Sequence, residues 1–450
     1  MIIPRQHQAE AMRFFKTSPM LGGLLWHGMG LGKTLSALWL GRDHIGALKA
    51  SGNASIPKVL VFCPKSAVTT WKVECHKNVP SLSRDLVIYP FSQLHNAIKS
   101  IKYMDVRFII LDESHYIKSP ETNRVEALAE FLKELTKLNG KFQHGRILLL
   151  TGTPMPNSAA ELYTSWAMCC APDLNTAADR LLDKGRYENW KTSFSKKKET
   201  TFQKYDSRQR RKVTKTGSRY EGVANEDKLQ QLLAPFVHFR RVEDCIDLPD
   251  KQEIPIDLGL PDDRLLKDAN IEEPEAYMAL LERLARAKTP HMIDWVQDFL
   301  DSDPMEQLVV FAQYRFPIEE LREKFPKHVR LITGAETQAD RAQNLSDFQT
   351  GKFRILAMTF KAGSESLNCQ NARYSLYHGY PWTDGTLQQA MARTYRSGQT
   401  RKTMHYFLTS GYNDMRILDL VLGKAKATAT VQTLLIEEKE IKITALDSLL

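Results

Sequence analysis

A glycine-rich segment near the start of the chain has the residue types of a phosphate-binding loop. It reads Gly28-Met29-Gly30-Leu31-Gly32-Lys33-Thr34, after an apolar run at 24–26 and before a helical pattern at 35–40. Glycines allow backbone N–H groups to close around phosphate oxygens at the positive end of a helix. We expect Lys33 to reach the β- and γ-phosphates and the Thr34 hydroxyl to coordinate Mg²⁺.

The residue before this segment departs from the strict phosphate-loop pattern, which has glycine where His27 stands. The alternative is a plain turn before a helix, which the complete Gly-Lys-Thr sequence and the flanking elements disfavour. The sequence therefore predicts nucleotide contacts from five residues, namely Gly28, Gly30, Gly32, Lys33 and Thr34.

An acidic pair follows a second apolar run. Residues 107–111 lead into Asp112-Glu113-Ser114-His115. Because the carboxyl end of a parallel strand faces the ligand crevice, Asp112 is expected to hold Mg²⁺ and Glu113 to polarise the attacking water. His115 is predicted to link this site to neighbouring loops. An acidic pair alone is more often a helix N-cap, but together with Lys33 it indicates catalysis.

The elements that would position these residues alternate between short apolar runs and helical patterns. Such runs, covered by helices on both faces, predict parallel sheets. They lie at 24–26, 59–63, 107–111, 147–151, 308–312, 329–333, 354–358, 375–378 and 404–408. The predicted fold is α/β, with two parallel-sheet lobes and a helical, basic insertion between them. The predicted domains are 1–165, 166–250 with a basic block at 191–220, 251–425, and a tail at 426–450.

Composition limits the class of protein. The 450 residues are 42% hydrophobic and 26% charged, which excludes wholesale disorder. The longest apolar runs are far shorter than the roughly 20 residues of a membrane span, so no membrane association is expected. The six cysteines form no Cys-x-x-Cys pair. Free thiols without metal-like spacing, and no signal-peptide pattern, predict an intracellular protein.

The positive charge is concentrated in the block at 191–220. Eleven basic and two acidic residues give this block a charge of +9, and the rest of the chain balances at 51 basic and 51 acidic residues. A local basic block indicates a polyanion contact, and the neighbouring Trp190, Phe194, Phe202, Tyr205 and Tyr220 are candidates for stacking on bases. A solvated loop with no such role is an equal alternative at this stage.

The order of the motifs resembles that of the superfamily 2 helicases, and within them the Swi/Snf-type DNA translocases. The resemblance rests on four segments, Gly28–Thr34, Asp112–His115, Leu150-Thr151-Gly152-Thr153-Pro154 and Gln389-Ala390-Met391-Ala392-Arg393-Thr394-Tyr395-Arg396-Ser397-Gly398-Gln399. It implies two RecA-like lobes, the use of ATP with Mg²⁺, and an adenine-reading motif that contains Arg5 and Gln8.

The resemblance also implies roles for residues of the second lobe. Arg393 and Arg396 resemble the family's arginine fingers, which neutralise charge on the transferring phosphoryl group, and Gln389 belongs to the same nucleotide motif. DNA contacts are implied or proposed at Lys65, Ser66, Trp71, Thr151, Lys361, Gly363 and Asn368, and in the basic block at Lys197, Arg210 and Arg211. Ser364 and Glu365 depart from the glycine and the apolar residue that the family usually has there.

The function that these patterns favour is an ATP-driven translocase on double-stranded DNA, acting on branched or forked DNA in branch migration or fork remodelling. Such a motor would serve DNA repair, recombination or replication. An RNA helicase or a restriction-type motor on the same two-lobe core is a second interpretation. A nucleic-acid-binding scaffold without catalysis is a third, which the intact Lys33, Asp112, Glu113 and Arg396 disfavour.

Overall fold

The computed structural model describes residues 3–52, 56–139, 144–206, 211–260, 274–363, 367–381, 383–410, 414, 428–433 and 435. The chain divides into two compact units. The first unit comprises residues 1–196, 220–246 and 426–450, and the second comprises 197–219 and 247–425.

A six-stranded sheet in the order β3-β2-β4-β5-β1-β8 forms the centre of the first unit, and the strand pairs are parallel. The strands are β1 (Gly22–His27), β2 (Pro57–Cys63), β3 (Leu86–Pro90), β4 (Asp105–Asp112), β5 (Arg146–Thr151) and β8 (Val237–Arg240). The helices are α1 (Gln6–Thr17), α2 (Lys33–Ala50), α3 (Ala67–Asn78), α4 (Leu94–Ile101), α5 (Asn123–Asn139), α6 (Tyr163–Cys169), α7 (Leu174–Leu182), α8 (Lys184–Phe194) and α9 (Glu226–Leu233).

Both faces of this sheet are buried, which explains why its strands are apolar throughout. In β1, Leu24 and Trp26 belong to the hydrophobic core on one face and Leu25 to the core on the other. Alternate residues of a strand point to opposite faces, so a strand covered on both sides needs apolar residues at every position. The functional residues are therefore confined to the ends of the strands.

The second unit repeats this construction with six parallel strands in the order β11-β12-β10-β13-β14-β9. The strands are β9 (Lys251–Asp257), β10 (Leu308–Ala312), β11 (Val329–Ile332), β12 (Ile355–Thr359), β13 (Tyr374–Tyr377) and β14 (Thr403–Thr409). The helices are α10 (Pro274–Ser302), α11 (Phe316–Lys324), α12 (Gln338–Gln349), α13 (Phe360–Gly363) and α14 (Asp384–Met391).

The two parallel-sheet lobes are confirmed, and each of the nine predicted apolar runs coincides with a strand. Three strands of the sheets were missed. β3 is half-buried along its length, β8 carries His238 and Arg240, and β9 has charged residues on an edge. Sheet edges tolerate polar residues, so these strands lack the continuous apolar signal.

The basic block differs from the helical surroundings in which it was predicted. β6 (Lys196–Asp206) and β7 (Arg211–Glu221) pair as a two-stranded sheet, here called the basic ribbon. Its sequence is rich in threonine, with valine, phenylalanine and tyrosine, and these types favour strands over helices. The prediction for this block rested on its charge and on the neighbouring helical patterns, and not on this β-forming composition.

The helices after residue 165 pack into the first unit. Trp166, Trp190 and Leu232 share one hydrophobic core with Trp26 of β1, and Val431 of the predicted tail also lies in that core. The predicted boundaries at 165 and 426 remain predictions about domains. Among the described residues, no helix is both long and apolar enough to span a membrane.

Candidate nucleotide-binding site

The glycine-rich loop lies at the carboxyl end of β1 and leads directly into α2. Gly30 and Gly32 have backbone φ angles of 83° and 73°, in the left-handed region that glycine adopts without strain. Lys33 is the first residue of α2, and its Nζ donates to the carbonyl oxygens of His27 at 2.9 Å and Gly28 at 3.3 Å. The loop thus already surrounds the lysine ammonium.

Helix α1 braces the other side of this loop. The Gln8 amide nitrogen lies 3.3 Å from the Gly32 carbonyl oxygen, and its amide oxygen accepts from the Arg5 backbone N–H at 2.9 Å. A Cβ atom on Gly32 would lie 2.6 Å from that amide nitrogen and would displace the end of the Gln8 side chain, and the positive φ favours glycine there. Adenine reading by Arg5 and Gln8 stays a prediction.

Asp112 is the last residue of β4 and is held in a buried position. It is 8% exposed, and its Oδ2 accepts from the indole Nε1 of Trp71 at 2.7 Å while Oδ1 accepts from the Glu113 backbone N–H at 3.0 Å. Burial and, to a smaller extent, the neighbouring Glu113 carboxylate raise the pKa of Asp112 to about 6, although Trp71 and Lys33 lower it. Such a carboxylate is poised to gain from a cation.

Glu113 connects the acidic pair to the next strand. Its backbone lies in the left-handed region at φ 51°, which is unusual for a residue with a Cβ. Its Oε2 lies 3.2 Å from His115 Nδ1, which in turn lies 3.2 Å from the hydroxyl of Thr151 at the end of β5. The Thr151 hydroxyl accepts from the Thr153 N–H at 3.0 Å. His115 therefore lies between the Glu113 carboxylate and the end of β5, and its linking role stays a prediction.

These residues fit a nucleotide bound with Mg²⁺. Gly30 and Gly32 present no Cβ atom to a phosphate, Lys33 supplies a cation, and the carboxylates of Asp112 and Glu113 supply negative charge that a metal ion can bind. Among the described residues, no group of three or more His, Cys, Asp or Glu side chains could hold a metal. Thr34 and Asp112 would thus hold an ion whose other ligands come from phosphate and water, as Mg²⁺ prefers.

In the second unit, Arg393 bonds to Gly363, the last residue of α13, and to Leu367. Arg393 is 8% exposed, and its guanidinium donates to the carbonyl oxygens of Gly363 at 2.8 Å and Leu367 at 3.3 Å. Arg396 donates to the same Leu367 oxygen at 3.1 Å, and burial lowers its pKa. The two arginines thus lie together in this unit beside Gly363, one of the predicted DNA contacts, and Gln389 of α14 is buried.

Other predicted contact residues have mixed exposure. Lys65 and Lys361 are exposed, and Ser66 and Asn368 are half-buried. Gly363 is buried, and a Cβ atom there would lie 2.8 Å from Phe311. Lys197 is exposed at the start of the basic ribbon. Arg210, Ser364 and Glu365 lie outside the described residues, as does the Arg211 side chain.

Burial contradicts nucleic-acid contact for four residues, of which Trp71 and Thr151 were predicted contacts and Trp190 and Phe194 were candidates for stacking. Trp71 is 1% exposed because its indole supports Asp112, and Thr151 is fully buried because its hydroxyl bonds within the carboxylate network. Trp190 and Phe194 are also fully buried, and the Trp190 indole donates to the Ala159 carbonyl oxygen at 2.9 Å. None of these four side chains offers a surface to DNA.

Sequence reasoning missed a histidine cluster at the phosphate loop. His27 Nε2 and His238 Nδ1 are 2.8 Å apart, and His7 Nε2 donates to the Leu31 carbonyl oxygen at 3.0 Å. The one local signal was His27 itself, the residue that breaks the strict loop pattern. The separation of 211 residues between His27 and His238 concealed the pair.

The family follows from a comparison of the sequence with known families. The SNF2-related domain matches residues 7–89 and 81–265, which is more than half of the chain, and the helicase conserved C-terminal domain matches 291–398. The chain belongs to the SNF2 family. It is therefore a helicase-like ATPase, as its motifs predicted.

Individual relatives of this SNF2 protein extend well beyond it. The SWI/SNF-related matrix-associated actin-dependent regulator of chromatin subfamily A-like protein 1 of Xenopus laevis is 27% identical over 90% of this chain and 41% of its own length. The DNA annealing helicase and endonuclease ZRANB3 of Bos taurus is 23% identical over 89% of this chain and 38% of its own length. The chain thus spans about two fifths of these relatives.

One solved structure aligns with most of the chain. The SWI2/SNF2 ATPase core of Sulfolobus solfataricus, solved in complex with double-stranded DNA, aligns with 97% of this chain and 95% of that chain. The sequence identity is 18% and the TM-score is 0.38.

Proposed function

We propose that this SNF2-family protein is a DNA-dependent ATPase that moves along double-stranded DNA and acts on forked or branched DNA. The observation that carries the catalytic part is the placement of buried Asp112 and half-buried Glu113 at the carboxyl end of β4, in the same sheet whose β1 leads into the Lys33 loop. A lysine in a glycine-rich loop opposite two carboxylates is the equipment for nucleotide hydrolysis, and in this family it serves a motor.

In this proposal the residues of the first unit divide the work. Lys33 leaves the His27 and Gly28 carbonyl oxygens and binds the β- and γ-phosphates. Thr34 and Asp112 would hold Mg²⁺, which neutralises phosphate charge when bound. Glu113 orients the attacking water and accepts its proton, and His115 fixes the direction of the Glu113 carboxylate through their 3.2 Å contact.

The arginines of the second unit have a separate role in the proposal. Arg396 is proposed to stabilise the charge that builds up on the transferring phosphoryl group. Arg393 is proposed to share this role while its bonds hold Gly363 and Leu367 in position. Burial of Arg393 supports a positioning function for at least part of its guanidinium.

DNA is the proposed track. One relative is named a DNA annealing helicase, which supports DNA as the substrate class. Exposed Lys65 and Lys361 supply one cation each in the two units, and the basic ribbon supplies a further cluster. Contacts of this kind follow the phosphate backbone without reading bases, so we expect steep loss of affinity with rising salt.

The test compares ATP turnover with single-stranded DNA, duplex, fork, four-way junction and RNA at one salt concentration. We expect duplex-containing DNA to stimulate turnover, with forks and junctions strongest, and strand-displacement or branch-migration assays to show the matching activity. Stronger stimulation by RNA would favour the RNA-helicase interpretation. Absence of nucleic-acid-stimulated turnover would overturn the proposal.

A second experiment isolates the basic ribbon. Lys197→Glu with Lys198→Glu reverses two exposed charges at its start, and Lys99→Glu with Lys102→Glu reverses two exposed charges at α4, outside every proposed site. We expect the ribbon variant to lose fork processing while retaining duplex-stimulated ATP turnover, and the α4 variant to behave as wild type. Equal effects of the two variants on fork processing would contradict a specific role of the ribbon.

A further inference from the structure

The phosphate loop is joined to β8 by a buried pair of imidazoles. His27 is fully buried at the end of β1, and its Nε2 lies 2.8 Å from Nδ1 of His238, which is 7% exposed in β8. The two strands are parallel neighbours, with His27 opposite Arg240 and Leu25 opposite His238. The side chains therefore bridge the strands where β1 becomes the loop.

Backbone and packing contacts reinforce this junction. The Gly28 N–H donates to the Arg240 carbonyl oxygen at 2.9 Å. A Cβ atom on Gly28 would lie 2.5 Å from a methyl carbon of Val242, just beyond β8. The first residue of the loop is thus fixed to the chain segment that closes the sheet.

The same two residues hold the lysine in this structure. Lys33 Nζ donates to the carbonyl oxygens of His27 and Gly28. Both hydrogen bonds break if the lysine moves to a phosphate. Once it leaves, the imidazole pair and the Gly28–Arg240 hydrogen bond still connect the start of the loop to β8.

The charge around the pair indicates how its proton is shared. Lys33, Arg240 and His7 face the pair, and Glu10 of α1 is committed to Arg240 at 3.0 Å. Burial, together with these neighbours, holds the pKa of His27 well below its usual value and lowers the pKa of His238 to about 4. Both rings are therefore neutral at physiological pH.

A neutral imidazole carries a proton on only one nitrogen, and only one of the two tautomers of His27 avoids a buried N–H group without an acceptor. His27 Nδ1 is buried without a hydrogen-bond partner among the described residues. A buried N–H without an acceptor is costly, so the proton lies on His27 Nε2, which donates, and His238 Nδ1 accepts. The pair is then a directional bond from the loop strand to β8.

We propose that His27 and His238 are positioning residues that hold the phosphate loop in its binding geometry through this single hydrogen bond. The inference rests on the proposed nucleotide site and goes beyond it, since neither ring touches the nucleotide in the proposal. A loop held in place before the ligand arrives loses less conformational entropy on binding, so the bond contributes to nucleotide affinity and not to the chemical step.

The test measures affinity for a fluorescent ADP analogue together with KM and kcat for ATP. His238→Leu, His27→Leu and the double variant are each expected to raise Kd and KM about tenfold, with kcat within about twofold of wild type. The double variant is expected to match the single ones, because they remove the same interaction. His27→Gln keeps a donor near Nε2 and His238→Asn an acceptor near Nδ1, and each is expected to stay within about threefold of wild type.

The control is His44→Leu, since His44 is a half-buried imidazole on α2 that packs against Phe108 of β4 and whose pKa burial lowers to about 4. We expect its Kd to match wild type. Three results would each overturn the positioning role. The first is an equal loss of nucleotide affinity in His44→Leu, and the second is a double variant in which the losses of the two single variants multiply. The third is a His238→Asn variant that binds nucleotide no better than His238→Leu. The last comparison decides even if His27→Leu does not fold. Wild-type protein that binds ADP without turning over ATP would refute the proposed ATPase activity alone. The Kd values of the variants would still test the effect of the histidine pair on nucleotide affinity.

Discussion

Replacing Trp71 with phenylalanine tests whether the indole keeps Asp112 ionised. The change removes the 2.7 Å hydrogen bond to Oδ2 and preserves an aromatic ring in a site that is 1% exposed. A hydrogen bond to a charged group contributes about 1.5–3 kcal/mol, and one pKa unit corresponds to about 1.4 kcal/mol. Loss of the bond therefore raises the pKa of Asp112 from about 6 by about one to two units.

Activity is expected to fall because the ionised form of Asp112 is the active one. At pH 7 the ionised fraction of Asp112 falls from about nine tenths to between about one half and one tenth. We expect kcat/KM for ATP at pH 7 to fall roughly two- to tenfold, and to recover as the pH rises to about 9. The assay is the pH profile of kcat/KM, which reports groups of the free enzyme.

Trp190→Phe is the matched control for this experiment. Trp190 is equally buried and its indole also donates one hydrogen bond, at 2.9 Å, but to the neutral Ala159 carbonyl oxygen. Its acidic limb is expected to coincide with that of wild type. A Trp71→Phe profile whose acidic limb does not move, or a Trp190→Phe profile that moves equally, would refute the reasoning.

Three further predictions concern the same machinery. Asp112→Asn is expected to raise the free energy of unfolding at pH 7 by up to about 3 kcal/mol. The reason is that the fold raises the pKa of Asp112, so ionisation of this residue opposes folding as the pH rises from about 4 through 6. Denaturant unfolding should show that this gain in stability vanishes below pH 4, and a pH-independent gain would exclude this cause. Glu113→Gln should bind nucleotide with wild-type affinity yet lose about a hundredfold or more in turnover, measured by titration and steady-state assay, and normal turnover would remove Glu113 from its role. Arg396→Ala should likewise retain nucleotide affinity and lose turnover, whereas lost binding alone would contradict the proposed charge-stabilising role.

Local patterns made the nucleotide loop and the acidic pair predictable. Lys33 follows β1 and Asp112 ends β4 in continuous sequence, and parallel strands bring their carboxyl ends to the same side of the sheet. The arrangement around them was not predictable in the same way. Trp71 and Asp112 are 41 residues apart, so nothing local distinguishes an indole that supports a carboxylate from one that contacts DNA.

Burial was the second property that motifs failed to convey. Trp190 and Phe194 adjoin a strongly basic block, yet they lie on the inner face of α8 and complete the core of the first unit. Their apolar size decides their position, and the charge of neighbours along the chain does not. The basic ribbon shows the converse, since its charge concealed a threonine-rich composition suited to strands.

The most direct test of the central claim is steady-state ATP turnover by wild type and Lys33→Ala, each with and without duplex DNA. Lys49→Ala is the matched control, since Lys49 lies on the same helix and pairs with Asp85 at 2.6 Å, away from the loop. We predict DNA-stimulated turnover in wild type and Lys49→Ala, and a loss of about a hundredfold or more in Lys33→Ala. Turnover that ignores DNA, or that survives in Lys33→Ala, would contradict the account.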